Sequence, residues 1–395
     1  MLRIDHISIH GINGIERLDL SLNKGFNFIC GKNGIGKTTI LNCIASSFNR
    51  VSQEVRKNVR SEEGKWYITG EINDNPRFYE YFNVDENTQY TRTGRPRYKN
   101  AIKSKEIINF SISRTAYSTP IYTPKSITQS LTESDRLQNW MYDNYFDVAH
   151  MSSKRLKNLL IAQECFYLLN PETRFSKVFR RELKTDENEY KGGPKADIYV
   201  ETPTGEIPFN YLSSGYRACL SILLGIIKQT EVTSALKDVH SFNGVILIDE
   251  LDLHLHPAWQ AKLIEILKWL VPEAQIIATT HSPHIIQVAK QNEIIALAYH
   301  NQKKNEIINQ RFIDNEYGLQ GWTVEEILQD IMGMGDIYSE KCSEILASFD
   351  EALSSFDTEK AGHLFKILDS MLHPNNHLRK ILKLQMTSLE KVKYD

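Results

Sequence analysis

The chain has 395 residues, of which 41% are hydrophobic and 24% are charged, and its formal net charge at pH 7 is −2. This is the composition of an ordinary globular protein, and the small net charge excludes a protein that attracts nucleic acid through its overall charge. The five scattered cysteines indicate reduced thiols, and no apolar run is long enough for a signal peptide or a membrane span, so we expect a cytoplasmic protein of two or three domains.

The N-terminal stretch 2–30 alternates apolar and polar side chains, which is typical of strands. The alternation around Gly11 and Gly14 predicts two strands joined by a turn. The apolar stretch 26–30 predicts a third strand, buried within the sheet.

Residues Gly31–Thr39 match the pattern G-x-x-x-x-G-K-[ST] in full. A predicted strand precedes them and the apolar start of a helix follows, so unpaired backbone N–H groups and the helix dipole converge on the loop. We therefore predict a phosphate loop in which Lys37 reaches the β- and γ-phosphates and Thr38 ligates Mg²⁺. The residues expected to bind the nucleotide in this loop are Asn33, Gly34, Ile35, Gly36, Lys37, Thr38 and Thr39.

Two further strands are predicted after the first helix, over 66–72 and 107–112. Between them, residues 92–105 carry six basic side chains and no acidic one. A loop of this composition is either a solvated surface loop or a segment that follows a nucleic-acid backbone. The residues alone leave both interpretations open.

The pattern from Glu133 to Lys184 predicts a helical lobe with a second basic cluster over 174–184. The polar stretch 185–195 contains glycine and proline and predicts a linker. Two β-prone runs within 198–209 flank a Pro-Thr-Gly sequence, which predicts a hairpin.

The sequence LSSGYR at 212–217 directly precedes an apolar helical run over 219–227. Ser213 and Ser214 are therefore candidate helix caps. Whether they also belong to a binding site cannot be decided from these residues alone.

The continuous apolar run 245–248 predicts a strand that is buried on both faces of a parallel sheet. Asp249 and Glu250 follow it, at the carboxyl end where such sheets place their ligand groups. We predict that Asp249 holds Mg²⁺ through water and that Glu250 polarises the attacking water. A helix-capping role for the two acids is the alternative.

Further polar groups follow the two acids. Asp252, His254 and His256 alternate along the chain, as the ligands of a metal trio would, although a non-metal role for this segment is recognisable. The run 275–280 predicts another buried strand, and His281 follows it. A histidine at that end of a parallel strand can reach a γ-phosphate.

The C-terminal part begins with two predicted strands, over 294–299 and 307–312, around a lysine-rich turn. From about residue 324 the pattern predicts short amphipathic helices, of which the last, over 375–393, is basic. Such helices most often pack on the main domain or on another chain.

In chain order these motifs resemble the head of an ABC-type ATPase, with Walker A at 31–38, the LSSGYR signature, Walker B at 246–250, a D-loop around Asp252 and a switch histidine, His281. The sequences LIDELDLHLHPAWQ and ATTHSPHII are similar to AAA ATPases grouped with the SMC, RecF and OLD proteins. The tail sequence WTVEEILQDIMG is similar to the ATPase components of Septu-type and retron-linked anti-phage systems.

This resemblance implies an α/β fold: a P-loop NTPase head with a mostly parallel sheet, an antiparallel N-terminal sheet, an inserted helical lobe and a C-terminal helical extension. The expected domains are 1–130 and 191–315 for the two halves of the head, 131–190 for the lobe, and 316–395 for an assembly or partner-binding region.

The resemblance also implies a composite ATP and Mg²⁺ site between two copies of the chain. One copy would supply the catalytic residues Lys37, Glu250 and His281 and the metal ligands Thr38 and Asp249. The other would supply Ser213, Ser214 and Gly215, and Asp252 would line the nucleotide site. The signature departs from the usual LSGGQ at Ser214, and no Q-loop glutamine is assigned.

We therefore expect an ATP-hydrolysing regulatory or sensor subunit of a bacterial anti-phage complex. Its expected partners are further copies of itself and a separate effector, either an HNH or TOPRIM-type nuclease or a toxin. Nucleic-acid contact would run through 92–105 and 174–184, and no membrane contact is expected. The alternative is a RecF- or SMC-like DNA-repair ATPase that binds DNA directly, and a nucleotide-sensing scaffold with negligible turnover is a third possibility.

Overall fold

A computed structural model describes residues 2–48, 55–72, 75–84, 90–92, 107–110, 133–145, 152–180, 196–233, 238–253, 255–300, 303–310, 317–335 and 338–392. The chain divides into two compact units, Met1–Ile327 and Leu328–Asp395. The division of the first unit into two half-heads and a lobe stays a prediction.

The first unit contains a sheet of 11 strands and a separate sheet of three strands in the described part of the chain. The strands are β1 (Leu2–Ile12), β2 (Ile15–Ser21), β3 (Phe26–Gly31), β4 (Gly64–Ile72), β5 (Asn75–Val84), β6 (Tyr90–Arg92), β7 (Ile107–Phe110), β8 (Arg174–Arg180), β9 (Ala196–Thr202), β10 (Gly205–Pro208), β11 (Val245–Ile248), β12 (Gln275–Thr279), β13 (Ile294–His300) and β14 (Lys303–Gln310).

The described helices flank these sheets or form the second unit. They are α1 (Lys37–Phe48), α2 (Glu133–Tyr145), α3 (Ser153–Leu169), α4 (Ser214–Thr233), α5 (Pro257–Leu270), α6 (Pro283–Val288), α7 (Val324–Glu326), α8 (Glu340–Ser354), α9 (Thr358–Met371) and α10 (His377–Val392). None of them combines the length and the apolar character that crossing a membrane requires.

The parallel half of the large sheet positions the candidate site. Its strands run β13, β3, β12, β11 and β7 from the middle of the sheet to one edge, and each pairs in parallel with its neighbour. Every residue of β3, β11 and β12 is buried, as expected for strands covered on both faces. The carboxyl ends of these three strands therefore lie side by side.

The antiparallel half of the sheet is built on the N-terminal strands. β1 pairs with β2 and β4, which confirms the strands and the turn predicted for the N-terminus. β5 and β6 extend this half and were not predicted. β14 begins at Lys303 rather than 307, so part of the lysine-rich segment lies in the strand and not in a turn.

The prediction of helix through to Lys184 is wrong. α3 ends at Leu169, and Arg174–Arg180 form β8, which pairs with β9 in the three-stranded sheet. Pro171 explains the break, because a proline forces the preceding residue out of the helical region, and Asn170 is extended at φ −143° and ψ 113°. The predicted hairpin is confirmed by the pairing of β9 with β10.

The second unit is helical, as predicted for the tail. Ser339 and Asp357 cap α8 and α9 by accepting backbone N–H bonds, and these caps satisfy donors that a helix start leaves unpaired. Apolar side chains of α8, α9 and α10 form one buried cluster around Phe349 and Leu368. The unit therefore has a core of its own.

Candidate nucleotide-binding site

The phosphate loop joins β3 to α1, with Asn33 and Gly34 exposed and Ile35 buried. Gly36 adopts φ +106°, and a Cβ there would lie 2.7 Å from Cγ1 of Ile15. Gly34 adopts φ +76°, and a Cβ there would have no atom within 4 Å. Positive φ explains both glycines, and the open space above Gly34 leaves room for a ligand to approach the backbone.

We expect Gly36→Ala to weaken ATP binding by about tenfold or more, because a side chain there is strained by its positive φ and collides with Ile15. Equilibrium titration of each purified variant with ATP and Mg²⁺ measures the effect. The matched control is Gly25→Ala, at the other end of β3, where a Cβ meets nothing within 4 Å. Equal affinity in both variants would contradict the role given to Gly36.

Lys37 is the first residue of α1 and is only 5% exposed. Its Nζ donates to the carbonyl of Gly31 at 2.8 Å and to that of Lys32 at 3.0 Å, so the ammonium lies against the backbone at the start of the loop. Burial lowers the pKa of Lys37, while neighbouring carboxylates, among them Asp249, oppose that shift. A buried ammonium held by weak neutral acceptors is well placed to exchange them for phosphate oxygens.

The hydroxyl of Thr38 meets the carboxylate of Asp249, although the two are 211 residues apart in sequence. Thr38 Oγ1 donates to Asp249 Oδ1 at 3.3 Å, and Asp249 is 4% exposed. A hydroxyl and a carboxylate are both hard oxygen donors of the kind that Mg²⁺ prefers. The donor set therefore fits a magnesium ion beside the phosphate loop, and the metal roles of Thr38 and Asp249 stay predictions.

Glu250 has an unusual backbone. Its φ is +48°, in the left-handed region that a non-glycine residue adopts at a cost of roughly 1–2 kcal/mol. The N–H of Glu250 donates to the Thr279 hydroxyl at 2.7 Å, which holds the residue in this conformation. Strain of this kind is characteristic of functional positions, where the surrounding structure supports it.

Asp252 and His281 are joined directly. Asp252 Oδ1 accepts the backbone N–H of His281 at 3.0 Å and the hydroxyl of Thr280 at 2.7 Å. The pKa of His281 is lowered, first by partial burial and then by the charge of Lys37, although nearby carboxylates oppose the shift. The lowered pKa favours the neutral imidazole, which has one N–H donor.

The signature residues lie at the start of α4. Ser213 and Ser214 are exposed. Ser213 Oγ accepts the N–H of Tyr216 at 3.4 Å, so Ser213 caps the start of the helix, as the alternative interpretation predicts. Tyr216 anchors this helix start, since its hydroxyl donates to the carbonyl of Phe166 at 2.7 Å and its ring meets Trp259 edge-on. Ser213 thus bonds to the first turn of the helix that it precedes, and both serines remain exposed.

The structure thus groups most of the predicted site at one edge of the sheet. Lys37 and His281 both lie close enough to Asp249, Glu250 and Asp252 for the charges to act on their pKa values. The described contacts do not bring the signature serines into this group. Their assignment to the nucleotide site stays a prediction that requires a second copy of the chain.

The metal-trio alternative gains no support. His256 caps α5, because its Nδ1 accepts the N–H of Ala258 at 3.3 Å. His254 lies outside the described residues, and within them no group of three or more His, Cys, Asp or Glu side chains is arranged to hold a metal ion.

The basic segments are described only in part. Of 92–105, only Arg92 at the end of β6 lies within the described residues, and 181–184 also lie outside them. On β8, Lys177 pairs with Glu206 at 2.6 Å, and the Arg174 guanidinium lies over the Tyr167 ring at 5.5 Å from its centroid. Arg174 and Lys177 therefore have partners within the chain.

Two residues that support the site were not predicted. Thr279 contacts both acids that follow β11, and Asn13, in the turn between β1 and β2, donates to Thr39 Oγ1 at 3.2 Å. Thr279 could have been found from the sequence, because it places a hydroxyl at the end of the strand predicted to neighbour β11. Nothing in the local sequence connects Asn13 with the phosphate loop.

Comparisons with known proteins identify the family of the chain. A family model described as "AAA domain, putative AbiEii toxin, Type IV TA system" matches residues 26–287. The Septu protein PtuA of Bacillus thuringiensis is 37% identical over 415 residues, which covers 99% of this chain and 100% of that protein. The retron Vc95 probable ATPase of Vibrio cholerae serotype O1 biovar El Tor is 30% identical over 127 residues, or 31% of this chain and 25% of that protein.

A solved structure agrees with the fold. The Smc head domain with a coiled coil and joint from Pyrococcus yayanosii aligns with 84% of this chain and 99% of its own, with a TM-score of 0.52 and 12% identity. Together with the mixed sheet, this likeness confirms the predicted ABC-ATPase head fold. At this identity it concerns the fold alone.

Proposed function

Since the chain belongs to the family of the Septu protein PtuA and carries the AAA domain described above, we propose that it is the ATPase subunit of a bacterial anti-phage defence complex. The observation that carries the proposal is the contact between Thr38 and Asp249 beside the buried Lys37. It combines a phosphate loop with a hard oxygen site, which is the arrangement that Mg²⁺-ATP requires.

ATP hydrolysis follows from the groups at this edge of the sheet. The Lys37 ammonium binds the β- and γ-phosphates. Thr38 and Asp249 would hold Mg²⁺, whose charge would neutralise part of the negative charge on the phosphates. The Glu250 carboxylate orients a water molecule and takes its proton as the oxygen bonds to the γ-phosphorus and ADP leaves. The imidazole of His281 donates a ring N–H to the γ-phosphate.

The second half of the site comes from another copy of the chain. Ser213 and Ser214 are exposed at the start of α4, where backbone N–H groups and the helix dipole favour an anion. In this proposal they bind the γ-phosphate that the partner copy holds. ATP then stabilises the association, because it binds the assembled form better than separate copies.

A separate effector carries out the attack on the infected cell. We assign that role to a nuclease of HNH or TOPRIM type or to a toxin, as the resemblance to defence systems implies, and the ATPase controls it. The second unit, with its own helical core, is the proposed contact for further copies or for the effector.

The proposal is tested by purifying the chain together with the products of neighbouring genes. We expect Mg²⁺-dependent ATP hydrolysis and a heavier complex by native mass measurement with ATP than without it. Phage resistance in cells should be lost in a variant that cannot bind ATP. The proposal would be refuted by a protein that neither binds nor hydrolyses ATP, or by a complex whose mass is the same with and without ATP.

We expect Ser213→Arg to block ATP-dependent association, because it places bulk and positive charge where the partner's γ-phosphate must approach. Native mass measurement with and without ATP gives the result directly. The matched control is Ser153→Arg, at the exposed first turn of α3, which should associate normally. If the Ser213 variant still assembles, the C-terminal helices rather than the ATP sandwich hold the complex together.

A further inference from the structure

Strands β11 and β12 stop pairing just before the candidate site. Their parallel ladder runs from Val245↔Gln275 to Ile248↔Ala278. Asp249 directly follows β11, and Thr279 is the last residue of β12. Beyond the ladder, Thr279 connects the two strand ends through its hydroxyl and its backbone carbonyl.

Thr279 contacts three successive residues of the acidic segment. Its hydroxyl is hydrogen-bonded to Asp249 Oδ1 and to the N–H of Glu250, the latter at 2.7 Å. Its carbonyl accepts the N–H of Leu251 at 2.9 Å. The side chain is 1% exposed, so water does not compete for these bonds.

The direction of these bonds is determined by chemistry. A backbone N–H only donates, so the Thr279 oxygen must accept from Glu250. The single Thr279 hydroxyl proton is donated to Asp249 Oδ1. The hydroxyl is therefore locked in one orientation between the two acids, with both of its bonds defined.

Each bond supports a different part of the proposed chemistry. Asp249 Oδ1 receives the Thr279 proton and also the Thr38 hydroxyl, so Thr279 helps to orient the carboxylate towards the phosphate loop. The bond to the Glu250 N–H holds the left-handed backbone, at φ +48°, from which the Glu250 side chain projects. One hydroxyl thus orients the predicted metal ligand and the predicted base together.

We propose that Thr279 is a positioning residue for ATP hydrolysis, which places Asp249 and Glu250 through its hydroxyl without touching the nucleotide. The inference rests on the proposed ATPase function. It requires the hydroxyl rather than the size of the side chain, so valine, which has the same shape, must fail where serine succeeds.

The test compares Thr279→Val and Thr279→Ser with the wild-type protein in steady-state ATP hydrolysis and in equilibrium titration with Mg²⁺-ATP. We expect the valine variant to lose about 100-fold in kcat, the size of effect that misplacing a reacting group by about 1 Å produces. Its KM and Kd for ATP should stay within about threefold, because Lys37 and the loop bind the phosphates. The serine variant should stay within about threefold of wild type in kcat.

The matched control is Thr230→Val on α4. Thr230 is fully buried, and its hydroxyl has no hydrogen-bond partner among the described residues, so the same substitution removes a hydroxyl without removing a bond. This variant should hydrolyse ATP at the wild-type rate. Thermal melting of all variants measures any loss of folding separately from kcat.

The inference alone is overturned by a Thr279→Val variant with wild-type kcat, or by a Thr279→Ser variant as slow as the valine variant although both are folded. A rise in KM with unchanged kcat would also overturn it, because it would assign Thr279 to nucleotide binding. Absence of hydrolysis by the wild-type protein refutes the proposed function itself, and the inference with it.

Discussion

Lys37→Ala is expected to abolish nucleotide binding, with affinity for Mg²⁺-ATP about 100-fold lower or worse. The Lys37 ammonium is 5% exposed, and its hydrogen bonds are to the loop carbonyls of Gly31 and Lys32 at 2.8 and 3.0 Å. It is thus a desolvated cation at the centre of the phosphate loop. Without it, the phosphates lose a buried positive charge that the loop supplies.

The measurement is equilibrium titration with ATP and Mg²⁺, and hydrolysis should fall with binding. Lys32→Ala is the matched control, since Lys32 is an exposed lysine of the same loop and only its carbonyl contacts Lys37. Its affinity for ATP should change by less than about threefold, as expected for a surface charge. Unchanged affinity in the Lys37 variant would refute the phosphate-loop assignment.

Glu250→Gln is expected to reduce kcat by about 100-fold to 10,000-fold, the usual contribution of general-base catalysis, and to leave ATP binding intact. Glutamine keeps the length and shape of the side chain but its amide accepts a proton poorly. The left-handed backbone should persist, because the bond from the Glu250 N–H to Thr279 does not involve the side chain.

Because ATP still binds and is not consumed, this variant should remain in the associated state. Single-turnover hydrolysis measures the chemical step, and native mass measurement after ATP addition measures the association. Glu265→Gln, an exposed change of the same type on α5, should behave as wild type in both. If the Glu250 variant hydrolysed ATP at the wild-type rate, another group would have to act as the base.

Motifs in short stretches predicted which residues gather at this edge of the sheet, and the chemical roles of these residues stay predictions. The phosphate loop, the acids after β11 and the histidine after β12 follow local rules: glycines with positive φ, buried strands that end in polar groups, and a helix start after the loop. The structure places Lys37, Asp249 and His281 at one edge of the sheet, as expected for neighbouring parallel strands.

One local signal was misread. The hydrophobic pattern after residue 153 continues with helical spacing, but Pro171 ends the helix, and the chain continues as β8. The strand is stabilised by its pairing with β9, whose partner residues lie about 20 positions further along the chain. Pairing of this kind depends on the neighbouring strand, so the short stretch itself shows little of it.

The sequence by itself determined the class of the protein and the residue types of the site, because these depend on backbone conformation and side-chain chemistry within a few residues. Only the tertiary structure decided which groups hold them in place. Thr279 supports Asp249 from 30 positions away, and Asn13 supports Thr39 from the opposite half of the sheet. Such contacts depend on the order of the strands in the sheet, and the pattern of polar residues along the sequence does not reveal that order.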